Sequence, residues 1–258
     1  MSKELGDFTG LAENYSKFRP AYSNFVLDAL FGLLNKPADQ VDFADVGAGT
    51  GIWSRMVAAR NVATIKAVEP NDDMRQHGIT DCQGTRIQWY EGDGENTRLA
   101  ENSIDFLTMA SSFHWVDFDK GIKEFTRVLR DKGVFCALWN PRLIEVNPLL
   151  VEIENKLYEM APQIKRVSSG RAGFTGKLFD SLLATGCFSD VVYLEGRHTV
   201  KQTLDEYIGV WWSVNDIRAQ AGEATFSAFM NYVTDRIKDE PFIETTYLTR
   251  AWAARVTK

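Results

Sequence analysis

Apolar and polar positions along the chain follow two alternating periods, and the alternation predicts strands and helices in turn. Short apolar runs predict five strands in the first 140 residues, at 41–46, 63–69, 87–91, 104–110 and 133–139. Apolar positions at three- and four-residue spacing predict helices between them, at 24–34, 52–60, 117–130 and from Asn71 onward. Strands that alternate with helices indicate crossover connections and a parallel, doubly wound sheet.

The pattern changes after Pro141. Residues 145–186 are predicted to be mainly helical, 189–200 a strand, 202–213 and 223–238 helices, and 242–256 a final strand. The late strands can complete the same sheet, with the inserted helices as a lid. We therefore expect one α/β domain over 1–258. It would comprise a ligand-binding core at 15–140, a helical insertion and late strand at 141–240, and a final strand at 241–258.

Composition excludes some classes of protein. The 258 residues, 45% of them hydrophobic, suffice for one substantial core. A net charge of −6 shows no basic footprint, which disfavours nucleic acid as a partner without excluding a local basic patch. Cys82, Cys136 and Cys187 lie too far apart for a disulfide framework or a zinc spacing. No signal peptide or membrane span is recognisable, so we expect a cytoplasmic protein. We also expect no metal site, and a monomer or homodimer.

The stretch "FADVGAGTGIW" carries three glycines at alternate positions, where a strand turns into a helix. A P-loop would need Lys and Ser or Thr after its last glycine, but Gly51 is followed by Ile52 and Trp53. The dinucleotide fingerprint G-x-G-x-x-G would need glycine at position 52. The remaining pattern is Asp45-x-Gly47-x-Gly49-x-Gly51. Its glycines allow a sharp turn and close approach to a ligand, although a plain strand-to-helix turn is the alternative.

That pattern resembles motif I of the class I S-adenosylmethionine-dependent methyltransferases. Glu69, at the end of the second predicted strand, is placed to bind ribose hydroxyls with its two carboxylate oxygens. Asp93 and Gly94 hold the place where the family contacts adenine, and "MASSFHWVD" resembles the family's segment beside the methyl donor. The resemblance implies a Rossmann-like, mostly parallel sheet of seven strands with an antiparallel late strand. It also implies S-adenosylmethionine as cofactor and S-adenosylhomocysteine as product.

The N-terminal "YSKFRPAY" resembles a pattern, Tyr-x-x-x-Arg-Pro-x-Tyr, found in the branch of trans-aconitate-like and ubiquinone/menaquinone methyltransferases. In that branch this segment covers the cofactor. The resemblance spans residues 15–140 and weakens after 145. The cofactor contacts that follow from these matches are Tyr15, Arg19, Asp45, Gly47, Ala48, Gly49, Gly51, Trp53, Glu69, Pro70, Met74, Asp93, Gly94, Ala110, Ser111 and Trp115.

The implied reaction is a displacement at a sulfonium methyl, in which the protein aligns the nucleophile and excludes water. A base is needed only where the nucleophile must lose a proton, and His114 is the candidate. The alternative is that His114 only bonds a carbonyl and shapes the pocket. The residues expected to bind the acceptor are Tyr22, Phe113, His114, Trp139, Arg142, Tyr207 and Trp211.

Several of these acceptor residues have a plainer interpretation. Most of the tryptophans could belong to the core. Trp211 and Trp212, adjacent on a helix, point about 100° apart, so at most one faces the pocket. Arg142 could bind a substrate carboxylate, or it could be a solvated surface residue.

Three functions remain open from the sequence. The leading hypothesis is methylation of a small, planar or lipophilic molecule. A methyltransferase acting on RNA or protein is the second, and a non-catalytic regulatory module that binds S-adenosylmethionine or a nucleotide is the third. A nicotinamide oxidoreductase is disfavoured by Ile52.

Overall fold

In the computed structural model, which describes residues 10–165 and 173–258, seven strands form one sheet in the order β3-β2-β1-β4-β5-β7-β6. The strands are β1 Asp42–Val46, β2 Thr64–Val68, β3 Ile87–Tyr90, β4 Ile104–Ala110, β5 Leu129–Trp139, β6 Phe188–Gln202 and β7 Ile243–Val256. The first five strands are parallel, and β7 runs antiparallel to both β5 and β6. The predicted fold class, including the antiparallel late strand, is confirmed.

Ten α-helices connect and cover these strands within the described residues. They are α1 Ala12–Phe18, α2 Asn24–Gly32, α3 Ile52–Ala58, α4 Asp72–Asp81, α5 Phe118–Val128, α6 Pro148–Met160, α7 Gly173–Ala184, α8 Leu204–Trp212, α9 Asn215–Ala221 and α10 Glu223–Ile237. The sequence did not predict α1 and α9. Helix α1 buries only Ala12, so it has no apolar stripe from which a helical period could be recognised. None of the described helices has the length and apolar character needed to cross a membrane.

Two of the sequence expectations fall partly on residues that the structure does not describe. The predicted helical stretch 145–186 includes 166–172, which lie outside the described residues. The N-terminal segment in which no signal peptide was recognised begins with residues 1–9, which also lie outside them.

Strand β5 shows how the sheet organises two cores, one on each face. Its alternate residues Phe135, Ala137 and Trp139 pack with α5 and α7. The residues between them, Val134, Cys136 and Leu138, pack with α2 and α3. Successive side chains of a strand point to opposite faces, so a continuous apolar run is what a strand covered on both sides requires.

A third apolar cluster lies away from the sheet and forms a cap of four helices, α6, α8, α9 and α10. Its centre contains Ile153 and Leu157 of α6, Trp211 of α8, and Phe226 and Phe229 of α10. Helix α7 is not part of this cap, because its Leu178 and Leu182 pack on the sheet. The cap therefore comes from two separate insertions, one before β6 and one between β6 and β7.

Four loops leave the same edge of the sheet. Gly47, Glu69, Ser111 and Asn140 directly follow β1, β2, β4 and β5, which run parallel. Ligands of open α/β sheets bind at the carboxyl ends of the strands. Residues of the cap helices α6, α8 and α9 share one cavity with these loops, which places the candidate site there.

Candidate active site

A cavity of about 460 Å³ lies at this edge of the sheet. This volume is within the range of ligand pockets, about 300–1,000 Å³. One wall, the glycine-loop side, contains Tyr15, Arg19, Gly47, Ala48, Gly49 and Ser111. A second part of the lining, the Arg142 side, contains Asn140, Arg142, Glu154, Tyr158, Asp216 and Tyr247. The first half of the chain thus supplies one wall and the second half the other.

The backbone N–H groups of the glycine loop are used inside the protein. Gly47 and Ala48 both donate to the carbonyl of Val68, at 2.8 and 3.0 Å. Gly49 donates to Oε2 of Glu69 at 2.8 Å, and Gly51 donates to the carbonyl of Ala48 at 2.9 Å. A phosphate-binding loop needs free N–H groups. This loop can instead offer carbonyl oxygens, which suit an ammonium group.

The glycines are required by backbone conformation and by close packing. Gly47, Gly49 and Gly51 have φ angles of 68°, 58° and 79°, in the left-handed region that favours glycine. A Cβ on Gly47 would lie 2.6 Å from the Cβ of Ser112. A Cβ on Gly51 would lie 3.0 Å from the ring of Trp89. Gly51 therefore serves the packing of α3 and is not part of the cavity wall.

Glu69 ties the end of β2 to the glycine loop. Glu69 is 7% exposed. Its Oε1 accepts a hydrogen bond from the backbone N–H of Asn71 at 2.9 Å, and its Oε2 accepts one from the backbone N–H of Gly49. Burial raises the pKa of the Glu69 carboxyl, and the two backbone hydrogen bonds oppose that shift. Each carboxylate oxygen has about two acceptor sites, so both oxygens keep capacity for a ligand hydroxyl.

Asp45 lies beneath the loop and out of contact with the cavity. It is fully buried, and it accepts from the Ser54 hydroxyl at 2.6 Å and from the Thr108 hydroxyl at 3.3 Å. The indole of Trp53 donates to Thr108 at 3.0 Å. Burial raises the pKa of Asp45 to about 7. This network joins β1, α3 and β4 and so holds the strand ends in register below the ligand site.

The N-terminal segment closes the glycine-loop side. The Arg19 guanidinium lies 5.0 Å from the centre of the Tyr15 ring, and Nη2 donates to the carbonyl of Ser213 at 3.3 Å. Its Nε is buried and has no hydrogen-bond partner within the described ranges. Tyr22 shares a hydrogen bond of 2.9 Å with Ser111, whose φ of 58° is unusual for a residue other than glycine.

His114 is held in one tautomer. The indole of Trp139 donates to Nδ1 of His114 at 3.2 Å, and an indole N–H can only donate. Burial lowers the pKa of His114 to about 4, with the Asp216 carboxylate opposing the shift. The neutral ring therefore carries its proton on Nε2, which is buried and lacks a partner in the described part of the chain. In this state the ring offers an N–H donor at Nε2.

The Arg142 side contains an ion pair with little exposure. Arg142 lies 3.4 Å from Glu154, and the two side chains are 11% and 10% exposed. The Arg142 guanidinium is also 4.2 Å from the centre of the Trp211 ring. Although burial disfavours its charge, the Glu154 carboxylate raises the pKa of Arg142 above its ordinary value. Arg142 therefore keeps its charge in this buried position.

Comparison with known protein families finds a match over part of the chain. Residues 44–137 match the family model described as a methyltransferase domain. The match covers the glycine loop, Glu69 and the segment of His114, and it ends within β5, before the Arg142 side begins.

Related sequences also match only part of the chain. An uncharacterized methyltransferase of Mycobacterium tuberculosis is 31% identical over 142 residues, which is 55% of this chain and 54% of that protein. A putative methyltransferase of Dictyostelium discoideum is 27% identical over 158 residues, 59% of this chain and 56% of that protein. The chain thus spans about half the length of the curated relatives it matches.

Solved structures extend the likeness of the fold to the cap. A putative type II methyltransferase from Anaeromyxobacter dehalogenans superposes with a TM-score of 0.67 at 20% identity, over 93% of this chain and 99% of that chain. A putative methyltransferase from an antibiotic biosynthesis pathway of Anabaena variabilis has a TM-score of 0.58 at 19% identity, over 88% and 96%. At these identities the likeness shows the shared fold alone.

The cavity brings together eleven of the residues that the sequence suggested. They are Tyr15, Arg19, Tyr22, Gly47, Ala48, Gly49, Trp53, Ala110, Ser111, Trp115 and Arg142. The suggested residues outside the cavity lining are Asp45, Gly51, Glu69, Pro70, Met74, Asp93, Gly94, Phe113, His114, Trp139, Tyr207 and Trp211.

Those outside the lining fall into two groups. Met74 and Glu69 lie directly behind the glycine loop of the methyltransferase domain, while Asp93 and Gly94 follow β3 farther along the same edge. Phe113 lies in the core and packs against the rings of Phe118, Phe125, Phe135 and Phe174. Trp211 is buried beneath Arg142, so it supports the cavity wall without forming it.

The sequence missed most of the Arg142 side. Glu154 carried a usable signal, since it lies on the buried face of α6 between Ile153 and Leu157, where a carboxylate needs a partner. Tyr247 and Asp216 carried none. Their place depends on how β7 and α9 pack, and the match to the methyltransferase domain ends before either residue.

Proposed function

We propose that this protein transfers a methyl group from S-adenosylmethionine to a small, planar or lipophilic organic acceptor and releases S-adenosylhomocysteine. The observation that carries the proposal is the hydrogen bonding of the glycine loop. Its N–H groups at Gly47, Ala48, Gly49 and Gly51 donate within the protein, which suits the ammonium end of this cofactor and not a pyrophosphate. The same observation disfavours a nicotinamide dinucleotide.

The other polar groups fit the remaining parts of the cofactor. The Nε of Arg19 is a buried donor without a described partner and suits the cofactor's carboxylate. Glu69 keeps acceptor capacity for ribose hydroxyls. Asp93 and Gly94, at the end of β3, would contact adenine. The Arg19 arrangement also supports placing the chain in the trans-aconitate and ubiquinone/menaquinone-like branch.

When bound, the cofactor supplies an electrophilic methyl group and a neutral thioether leaving group. The protein has to hold the acceptor in line and exclude water, and orientation alone can contribute about 7–11 kcal/mol to such reactions. The cap covers the cavity opposite the strand ends and serves that exclusion. His114, with Nδ1 taken by Trp139 and Nε2 buried outside the cavity lining, supports the wall at Trp115 instead of removing a proton.

The cavity wall supports a planar or lipophilic acceptor. Trp115 and Tyr158 both line the cavity with partly exposed rings, and Ile144, Val210 and Val214 add apolar surface. Aromatic and aliphatic surfaces of this kind bind flat or apolar molecules. The net charge of −6 gives no support for RNA as the acceptor.

Calorimetric titration with S-adenosylmethionine, S-adenosylhomocysteine and NAD⁺ tests the cofactor. We expect the first two to bind and NAD⁺ not to bind. Glu69→Gln should weaken S-adenosylhomocysteine at least about tenfold, because the amide places N–H groups where backbone donors now point. Glu159→Gln, on the exposed side of α6, is the matched control and should change nothing. Preference for NAD⁺ would overturn the proposal.

The acceptor class is tested separately with methyl-labelled cofactor and a cell extract. Label should pass into the dialysable fraction. Label retained with RNA or protein would instead support the macromolecular alternatives. Cofactor binding without transfer to any fraction would support a regulatory module.

A further inference from the structure

The polar groups on the Arg142 side include one ion pair and one buried hydroxyl that has no hydrogen-bond partner among the described residues. Arg142 and Glu154 form an ion pair at 3.4 Å, and Arg142 also stacks on Trp211. By contrast, the hydroxyl of Tyr247 is buried without a hydrogen-bond partner among the described residues. Buried polar groups are nearly always hydrogen-bonded, so an exception on a cavity wall points to a ligand.

Tyr247 is held firmly in its place on the wall. The residue is 3% exposed, and its backbone pairs with that of Arg142 in an antiparallel bridge. Two backbone hydrogen bonds flank the bridge, from Leu143 to Thr246 at 2.8 Å and from Leu248 to Pro141 at 2.9 Å. Directly paired residues of neighbouring strands project to the same side, and both Arg142 and Tyr247 line the cavity.

The charges on this wall disfavour an anionic ligand group. The described cavity lining contains two cations, Arg19 and Arg142, and two carboxylates, Glu154 and Asp216, which are 7% and 5% exposed. In the proposed function Arg19 binds the cofactor's carboxylate, which leaves Arg142 as the cation on the acceptor side, against both carboxylates. A ligand carboxylate brought to Arg142 would lie beside the Glu154 carboxylate and away from water. The positive charge of Arg142 is already paired with Glu154, so the ligand would have no cation of its own. Burying a charge without its own partner is strongly unfavourable.

We propose that the Arg142 side binds the acceptor through an uncharged polar group, with the Tyr247 hydroxyl as its hydrogen-bonding partner, and that the Arg142–Glu154 pair excludes carboxylic acids. This inference rests on the proposed function, because only methyl transfer makes the bound ligand an acceptor. It differs from the sequence expectation that Arg142 binds a substrate carboxylate. The Arg142–Glu154 pair acts as a rigid unit of the wall with no net charge. A carbonyl, amide or hydroxyl group of the acceptor then forms the hydrogen bond that the Tyr247 hydroxyl lacks within the described part of the protein.

Three isosteric pairs of small molecules test the charge preference: benzamide with benzoate, cinnamamide with cinnamate, and octanamide with octanoate. Ligand-observed NMR titrations are run on the whole chain, with and without saturating S-adenosylhomocysteine. For at least one pair the amide should bind at least tenfold more tightly than its carboxylate. A carboxylate preferred in every pair, or no amide bound at all, overturns the proposal.

Tyr247→Phe tests the hydroxyl. Since that hydroxyl has no described partner inside the protein, its removal should leave the melting temperature unchanged or raised. Amide affinity should fall about three- to tenfold, as expected for one neutral hydrogen bond. Tyr232→Phe is the matched control, because that hydroxyl bonds Glu152 on the outside of the cap. Equal amide affinity in Tyr247→Phe and wild type would overturn the role of Tyr247.

Glu154→Gln tests the ion pair with an isosteric change. It removes the carboxylate charge that is paired with Arg142, so the carboxylate probes should gain at least tenfold in affinity and reverse the preference. An unchanged preference in this variant, with native melting behaviour, contradicts the exclusion mechanism. If the wild-type protein binds the amides but not S-adenosylhomocysteine, the proposed function is wrong while the inference about the Arg142 side is supported. If it binds S-adenosylhomocysteine but none of the amides, the proposed function is supported and the inference about the Arg142 side is wrong.

Discussion

Trp139 donates its indole N–H to Nδ1 of His114 across 3.2 Å, and this bond determines the proton position of His114. Trp139 is itself buried and packs edge-on against Trp252, with ring centres 5.6 Å apart. The donor therefore cannot rotate away easily. A histidine beside the expected methyl donor is thus placed as a fixed donor by a tryptophan of the next strand.

The His114 ring should stay neutral from pH 8 to pH 5 with its proton on Nε2, because burial lowers its pKa to about 4. Nitrogen-15 shifts of histidine-labelled protein measure both the charge and the tautomer. Trp139→Phe removes the donor and should let the proton exchange between the two ring nitrogens. A His114 that gains a proton near pH 6.5 in the wild type, or whose shifts ignore Trp139→Phe, contradicts this assignment.

Gly47→Ala should destabilise the protein more than Gly186→Ala. Both glycines have a positive φ, of 68° and 69°, so each alanine meets the cost of the left-handed conformation, about 1–2 kcal/mol. Only at Gly47 would the new Cβ meet an atom, 2.6 Å away on Ser112, while Gly186 has open space. We expect a further loss of about 1–3 kcal/mol for Gly47→Ala. Urea unfolding measures the difference, and equal losses would show that the loop relaxes freely.

Asp45 should make the unfolding free energy fall as the pH rises from about 4 to about 7. Burial raises its pKa from 3.8 to about 7, so over this interval the folded protein holds a proton that the unfolded chain has released. Stability from this group is present below the ordinary pKa and lost as the pH rises through the folded one. Each unit of difference corresponds to about 1.4 kcal/mol.

Asp45→Asn removes this titration while keeping the side chain's size. The difference between the wild-type and variant unfolding free energies should therefore shrink or reverse with rising pH. Urea titrations of both proteins at several pH values between 4 and 8 measure this difference in unfolding free energy. A difference that is constant across the series would mean that Asp45 is already ionised at pH 4.

Gly209→Ala should loosen helix α1 from the cap. A Cβ at Gly209 in α8 would lie 2.3 Å from the ring of Phe18, which packs there at the end of α1. Gly176→Ala in α7 is the control, since nothing lies within 4 Å of its Cβ position. That variant should gain about 0.5–1 kcal/mol from helix propensity.

Hydrogen exchange separates the effect on α1 from the effect on the whole protein. The amides of α1 should exchange on the order of tenfold faster in Gly209→Ala, which corresponds to about 1.4 kcal/mol of local stability. The amides of β1 and β4 should be protected as before. Slower exchange, or a uniform change across the sheet, would show that the ring of Phe18 adjusts without releasing α1.

The amino-acid pattern alone was enough to predict the sheet and the glycine loop. Continuous apolar runs such as 134–139 require cover on both faces, and the alternate glycines at 47–51 allow a sharp turn after the strand. These are local constraints of backbone geometry and burial. They also indicated Glu69, because an acid that follows a buried strand must lie at the sheet's edge.

Only the tertiary structure decided what each polar group can still bind. The donors of the glycine loop are used by Val68 and Glu69, the proton of His114 is placed by Trp139, and the charge of Arg142 is matched by Glu154. Each of these pairings joins separate elements, so no local pattern contains it. The chemistry of a buried group depends on which partner it meets, and folding across the sheet and the cap selects that partner.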